Sequence, residues 1–87
     1  MAQAHYGMSL ARLETEYIRL AATPSPDFVD VANLIALHIH FRLGASRSRA
    51  VALLEEAKQS AENCDYTEGL VMADLTYGFI DPRVRVA

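Results

Sequence analysis

Apolar residues recur at helical spacing along most of this chain, and four breaks divide them into four segments. The breaks lie at residues 23–27, 44–46, 63–65 and 81–82 and contain Pro, Gly, Asn or Asp. These residue types end helices and form turns. The pattern therefore predicts an all-α fold, a small bundle of three to four helices, in a single helical domain over residues 1–87.

The first segment, residues 9–22, has one apolar face. Leu13, Tyr17 and Leu20 follow each other at intervals of four and three residues, which places them on one side of a helix. Ser9 suits the N-cap position, because its hydroxyl accepts a hydrogen bond from a backbone N–H of the first turn. We predict a helix that packs on one side.

The second segment is predicted to be the central helix, over about residues 26–43, because Ser25 and Pro26 form a strong helix start. Its wider apolar stripe consists of Phe28, Ala32, Ile35, Ala36, Ile39 and Leu43. Its narrower stripe consists of Leu34, Leu37 and Phe41. A helix that is apolar on nearly every side is a buried helix. The narrower stripe therefore needs a cover, either another helix of this chain or a partner.

The third segment, residues 46–62, has the strongest helix propensity, and its apolar face consists mainly of small residues. The fourth, about residues 66–80, is ambiguous, because Gly69, Thr76 and Gly78 weaken a helix and leave residues 75–80 compatible with an extended strand. The expected core combines apolar residues of all four segments: Leu13, Tyr17, Leu20, Phe28, Ile35, Ile39, Leu43, Leu54, Val71 and Leu75.

Composition adds a surplus of apolar residues to this picture. They make up 52% of the chain against 22% charged residues, which excludes a disordered chain. A domain this small buries only about 60% of its unfolded surface, so we expect some of the surplus to meet another chain. No apolar run reaches the roughly 18 residues of a membrane helix. The single cysteine, Cys64, and the lack of a recognisable signal peptide favour a cytoplasmic location.

Candidate catalytic or metal-binding residues are sparse. His38 and His40 are two residues apart, so on a helix their side chains diverge and do not share a metal ion. Cys64 lies in an acidic stretch, with Glu62 and Asp65 nearby, and such carboxylates disfavour a reactive thiolate. The sequence has no glycine-rich phosphate loop. We therefore expect no enzyme activity, no metal, no cofactor and no small-molecule substrate.

The sequence LGASRSR at residues 43–49 resembles the turn and the start of the recognition helix in bacterial helix-turn-helix domains. The resemblance implies that Arg47 and Arg49, with Arg42 nearby, contact DNA phosphates or guanine edges. The alternative function is therefore a DNA-binding regulator that uses the helix starting near Ser46.

The sequence DLTYGFIDPRVR at residues 74–85 resembles the C-terminal signature of dipeptide and oligopeptide ABC-transporter permeases. The membrane-spanning helices of that family have no counterpart in this sequence. The resemblance therefore implies a helix that ends at an Asp-Pro break, and no transport function.

The leading expectation is a non-enzymatic protein–protein interaction module: an adaptor, a secretion chaperone or an inhibitor of a partner protein. The expected partner is another protein or a second copy in a helical homodimer, with nucleic acid as the alternative, and no membrane is expected. The candidate interface residues are large apolar side chains of the second and fourth segments: Leu34, Leu37, Phe41, Leu70, Tyr77 and Phe79.

Overall fold

Four α-helices make up most of the chain that the structure, a computed structural model, describes, namely residues 8–40 and 47–80. The helices are α1 (Leu10–Leu20), α2 (Pro26–His38), α3 (Arg47–Asn63) and α4 (Thr67–Ile80). Residues 8–40 and 47–80 contain no β-strand. The all-α bundle is thereby confirmed, and the ambiguous fourth segment is helical throughout.

The first two helices begin at serine caps. Ser9 Oγ accepts a hydrogen bond from the Arg12 backbone N–H at 3.3 Å, and Ser25 Oγ accepts one from the Phe28 N–H at 3.2 Å. Each cap of this kind contributes about 1 kcal/mol. Pro26 occupies the first turn of α2, where a missing N–H has no cost. Both predicted helix starts are confirmed.

The end of α2 differs from the prediction. The α-helix runs to His38, and residues 39–40 continue it in a wider π-helical turn. The predicted last turn, residues 41–43, lies outside the described residues.

A left-handed residue reverses the chain between α3 and α4. Asp65 has a φ of 56°, a conformation that aspartate tolerates better than most residues. The Tyr66 N–H donates to the Ala61 carbonyl at 2.8 Å, and the Asp65 N–H donates to the Glu62 carbonyl at 3.4 Å. These two bonds form a Schellman motif, which satisfies the last carbonyls of α3 and turns the chain sharply. As a result, α4 packs beside α3.

The core is built around α2, which contacts each of the other three helices. Its buried apolar residues, with Ile39 just beyond its end, are Phe28, Val29, Val31, Ala32, Ile35, Ala36 and Ile39. They point in several directions around the helix, as expected for a helix with neighbours on most sides. The predicted central position of this helix is confirmed.

Most of the expected core is observed, with one error in α4. Five of the expected residues are buried: Leu13, Phe28, Ile35, Ile39 and Leu54. Tyr17 and Leu20 are partly buried against them, and Leu43 lies outside the described residues. The prediction for Val71 and Leu75 is wrong, because these side chains are 51% and 52% exposed.

The inward face of α4 consists mainly of small residues. Gly69, Ala73, Thr76 and Ile80 are its buried residues. A Cβ atom placed at Gly69 would lie 2.5 Å from Val29 Cγ1 and 2.6 Å from Tyr66 Cδ2. The backbone of α4 therefore lies too close to the Val29 side chain for a Cβ atom at Gly69 to fit without a shift, and Val71, Met72, Leu75 and Phe79 lie on the outer side of the helix.

Polar contacts connect α1 to α3. The Tyr17 hydroxyl donates to Glu56 with oxygen separations of 2.5 and 2.9 Å, and its ring stacks on Phe28 with centroids 5.4 Å apart. Arg49 forms an ion pair with Glu14. Burial and the hydrogen bond to Glu56 raise the pKa of Tyr17 to about 12. The neutral phenol is therefore the form that the fold favours.

The two glycines of α4 provide a matched test of this packing. Gly69→Ala should destabilise the fold by about 1–3 kcal/mol, because the added methyl group overpacks the contact with Val29. Gly78→Ala should stabilise it by about 0.5–1 kcal/mol, because no atom lies within 4 Å of the added methyl group and alanine favours helix. Urea denaturation of both variants measures the difference, and equal effects would contradict the close approach.

The raised pKa of Tyr17 predicts a loss of stability in alkali. Below its ordinary pKa of 10, Tyr17 is protonated in both the folded and the unfolded chain, so its contribution is complete. As the pH rises from 10 to about 12, the unfolded chain loses this proton first, and the contribution disappears. Between about pH 9 and about pH 11, the free energy of unfolding should fall more for wild type than for Tyr17→Phe, as measured by denaturation at both pH values. Equal falls in the two proteins would contradict the raised pKa of Tyr17.

Candidate functional site

Four large apolar side chains on the outer side of α4 are exposed to solvent. Val71 is 51% exposed, Met72 42%, Leu75 52% and Phe79 66%. We call these four residues the apolar face. Their spacing of three and four residues places them on one side of the helix.

Charge is absent from the apolar face itself. The only charged residues of α4 are Glu68 and Asp74. Asp74 forms an ion pair with Lys58 of α3, with its Oδ1 2.9 Å from Nζ, so it is directed to the side of the face. Glu68, seven residues before Leu75, lies on the same side of α4 at its N-terminal end. The face is therefore neutral and has one carboxylate at one end.

The size of the apolar face sets it apart from an incidental exposed residue. Four such side chains, each about half exposed, present on the order of 400 Å² together, which is within the range of the largest apolar patches on monomeric proteins. Ile18 of α1 is more exposed, at 74%, but none of the other large exposed apolar residues in the described chain belongs to α1. Contiguous patches of this size mark interaction sites more often than single exposed residues do.

A groove of about 170 Å³ lies between α2 and α4, beside the apolar face. Its lining residues are Asp30, Asn33, Leu34, Leu37, Tyr66, Glu68, Gly69 and Met72. Met72 belongs to both the groove and the apolar face, so the two surfaces are continuous. Gly69 lines the groove without contributing a side chain to it.

The polar wall of the groove is rich in hydrogen-bond acceptors. The Tyr66 hydroxyl donates to Asp30 Oδ1 at 2.9 Å. Asn33 is only 3% exposed, and its Nδ2 donates to the Gly69 carbonyl at 3.4 Å. Its amide oxygen is buried and accepts no hydrogen bond from the described residues. Glu68 adds an exposed carboxylate at the rim.

The candidate interface residues that the structure describes do not form one surface. Leu34 and Leu37 line the groove. Leu70 and Tyr77 are partly buried and pack against the core of their own chain. Phe79 belongs to the exposed apolar face, and Phe41 lies outside the described residues. The narrower stripe of α2 is therefore partly covered by α4, one of the two covers that the sequence left open.

Sequence reasoning missed three residues of the apolar face: Val71, Met72 and Leu75. Both sides of α4 are apolar, so hydrophobic spacing alone did not show which side faces inward. The informative signal was residue size, because Gly69 and Ala73 lie on the opposite side and permit close helix packing.

The arginines of the helix-turn-helix alternative differ in their contacts. Arg47 is exposed at the first residue of α3. Arg49 pairs with Glu14, which raises the pKa of its guanidinium through hydrogen bonding and charge attraction. Arg42 lies outside the described residues. DNA binding stays a prediction, and none of these contacts favours it over protein binding.

Metal sites and membrane-spanning helices are the two further features considered for residues 8–40 and 47–80. These residues contain no group of three or more His, Cys, Asp or Glu side chains placed to hold a metal ion. Across the same residues, no helix combines the length and apolar character needed to cross a membrane. The candidate site is the combination of the apolar face and the groove.

Comparison with known proteins leaves the site to be interpreted from its own chemistry. No protein-family model, no curated protein and no solved structure matches this chain.

Proposed function

We propose that this protein is a non-enzymatic interaction module whose apolar face binds a second copy of the chain. The observation that carries the proposal is the outward position of Val71, Met72, Leu75 and Phe79 on one side of α4. Exposing four large apolar side chains to water is unfavourable, and covering them with another apolar face removes that cost. The adaptor, secretion-chaperone and inhibitor roles all use such a face.

The charge distribution favours a second copy as the partner. A two-fold symmetric dimer brings the same surface of each chain together, so any charge in the middle of that surface would meet its like. The apolar face has no charge there, and Asp74 is paired with Lys58 of its own chain. Self-association through this face therefore brings no repelling charges together at its centre.

The position of Glu68 selects an antiparallel arrangement of the two α4 helices. A parallel pair would place the two Glu68 carboxylates side by side, where they would repel each other. An antiparallel pair separates them by most of the helix, which is about 21 Å long for 14 residues. The two-fold axis then passes close to Leu75, in the middle of the apolar face.

The size of the face indicates a dimer that exchanges with the monomer. Two faces of about 400 Å² each bury less than the roughly 1,200 Å² at which stable interfaces begin. Weak complexes occupy that range, and their partners can be replaced. Such exchange would let the apolar face pass from a second copy to a different protein.

Sedimentation velocity over a range of protein concentrations tests the proposal. Wild type should shift from monomer to dimer as the concentration rises. Leu75→Glu should weaken the dimer at least about tenfold, because the two introduced carboxylates meet at the two-fold axis and about 1.4 kcal/mol is lost. Ile18→Glu is the matched control, because it makes the same change at an exposed apolar residue of α1 and should leave the dimer intact.

Circular dichroism keeps the result interpretable, because all three proteins should retain the same helical signal. A wild-type chain that remains monomeric at every concentration would overturn the proposal. So would equal weakening by Leu75→Glu and Ile18→Glu, since the apolar face would then have no special role.

A further inference from the structure

The groove between α2 and α4 has hydrogen-bond acceptors but few available donors. Asp30 and Glu68 contribute carboxylates, and Asn33 contributes its buried amide oxygen. Among the lining side chains, the Tyr66 hydroxyl donates to Asp30, and one of the two N–H groups of the Asn33 amide donates to the Gly69 carbonyl. The groove therefore matches a ligand that only donates.

The buried amide oxygen of Asn33 distinguishes this groove from an ordinary acidic surface. The Asn33 side chain is 3% exposed and lines the groove, yet its oxygen has no hydrogen-bond partner among the described residues. Buried polar atoms in folded proteins are nearly always hydrogen-bonded. A bound partner that brings a donor to this oxygen would supply the hydrogen bond that it lacks.

The other walls define the rest of the ligand. Leu34, Leu37 and Met72 form an apolar surface along the groove. The volume of about 170 Å³ equals roughly five or six water molecules at about 30 Å³ each, the size of one large side chain. A ligand that fits has an aliphatic stem and a cationic head with several donors.

We propose that this groove binds an arginine side chain of a different protein, one that replaces the second copy at the apolar face. The aliphatic stem lies against Leu34, Leu37 and Met72, and the guanidinium donates toward Asp30, Asn33 and Glu68. The inference deepens the interaction function and rests on it, since it names a side chain that the docked partner presents.

Arginine fits better than the other donor-bearing side chains. Its guanidinium has five N–H donors in a fixed plane and no acceptor, so it can serve separate acceptors at once. It is also more weakly hydrated than the lysine ammonium, which favours its transfer into a partly enclosed groove. Side chains that also accept hydrogen bonds, or that are negatively charged, would face the acceptors of this groove unfavourably.

Amide NMR with a small probe tests the inference on the whole chain. Titration with 1-butylguanidinium should give saturable shifts of the Asn33 side-chain amide and of the Gly69 and Met72 backbone amides. The neutral analogue 1-butylurea, which has a similar shape, should bind at least about threefold more weakly, as expected for losing an exposed charge contact.

Two conservative variants and one control test which carboxylates bind the guanidinium of the probe. Glu68→Gln and Asp30→Asn should each weaken binding of 1-butylguanidinium by about threefold. Glu55→Gln removes the same charge from the exposed side of α3, and it should leave the affinity unchanged. Equal weakening by all three variants would show only a general attraction to a negative chain, and it would overturn the inference.

The remaining outcomes are also decisive. Equal shifts with 1-butylguanidinium and 1-butylurea, or shifts spread over the whole chain, would overturn the arginine site. Because the probe needs no second chain, a protein that is monomeric in sedimentation and still binds the probe would refute the dimer alone. A dimer whose groove ignores the probe would refute only the arginine site.

Discussion

The close approach of α4 to α2 at Gly69 is the constraint on which the rest of this structure depends. The space that a side chain would need there is occupied by Val29 and by the ring of Tyr66. Packing through Gly69 and Ala73 brings the backbone of α4 near its neighbour, and the side chains of Val71, Leu75 and Phe79 lie on the opposite side. The orientation of α4 therefore follows from residue size more than from hydrophobicity.

Both parts of the candidate site result from this orientation. Turning the small residues inward leaves Val71, Leu75 and Phe79 in solvent, and the groove lies beside them where α4 meets α2. One wall of the groove belongs to α2 and includes Asn33, a buried polar residue. The fold of the bundle and its exposed apolar surface thus have the same physical origin.

The sequence predicted the elements better than their orientations. Ser9, Ser25 and Pro26 mark helix starts through local chemistry, so those boundaries could be predicted without tertiary information. The inward side of α4 could not, because both sides are apolar and the choice depends on fitting a backbone against Val29. The sequence also predicts an apolar surplus on α2 and α4, but Leu70 and Tyr77 pack within the chain while Val71 and Leu75 are exposed.

The most direct test of the orientation of α4 is a nuclear Overhauser experiment on the methyl groups of the core. A close approach at Gly69 requires strong cross-peaks between the Val29 methyl protons and the Gly69 α-protons, and between the Val29 methyl protons and the Tyr66 ring. These contacts lie within one chain and do not depend on association. Cross-peaks from the methyl groups of Val71 or Leu75 to those of Val29 or Ile35, with none from Gly69, would contradict the account.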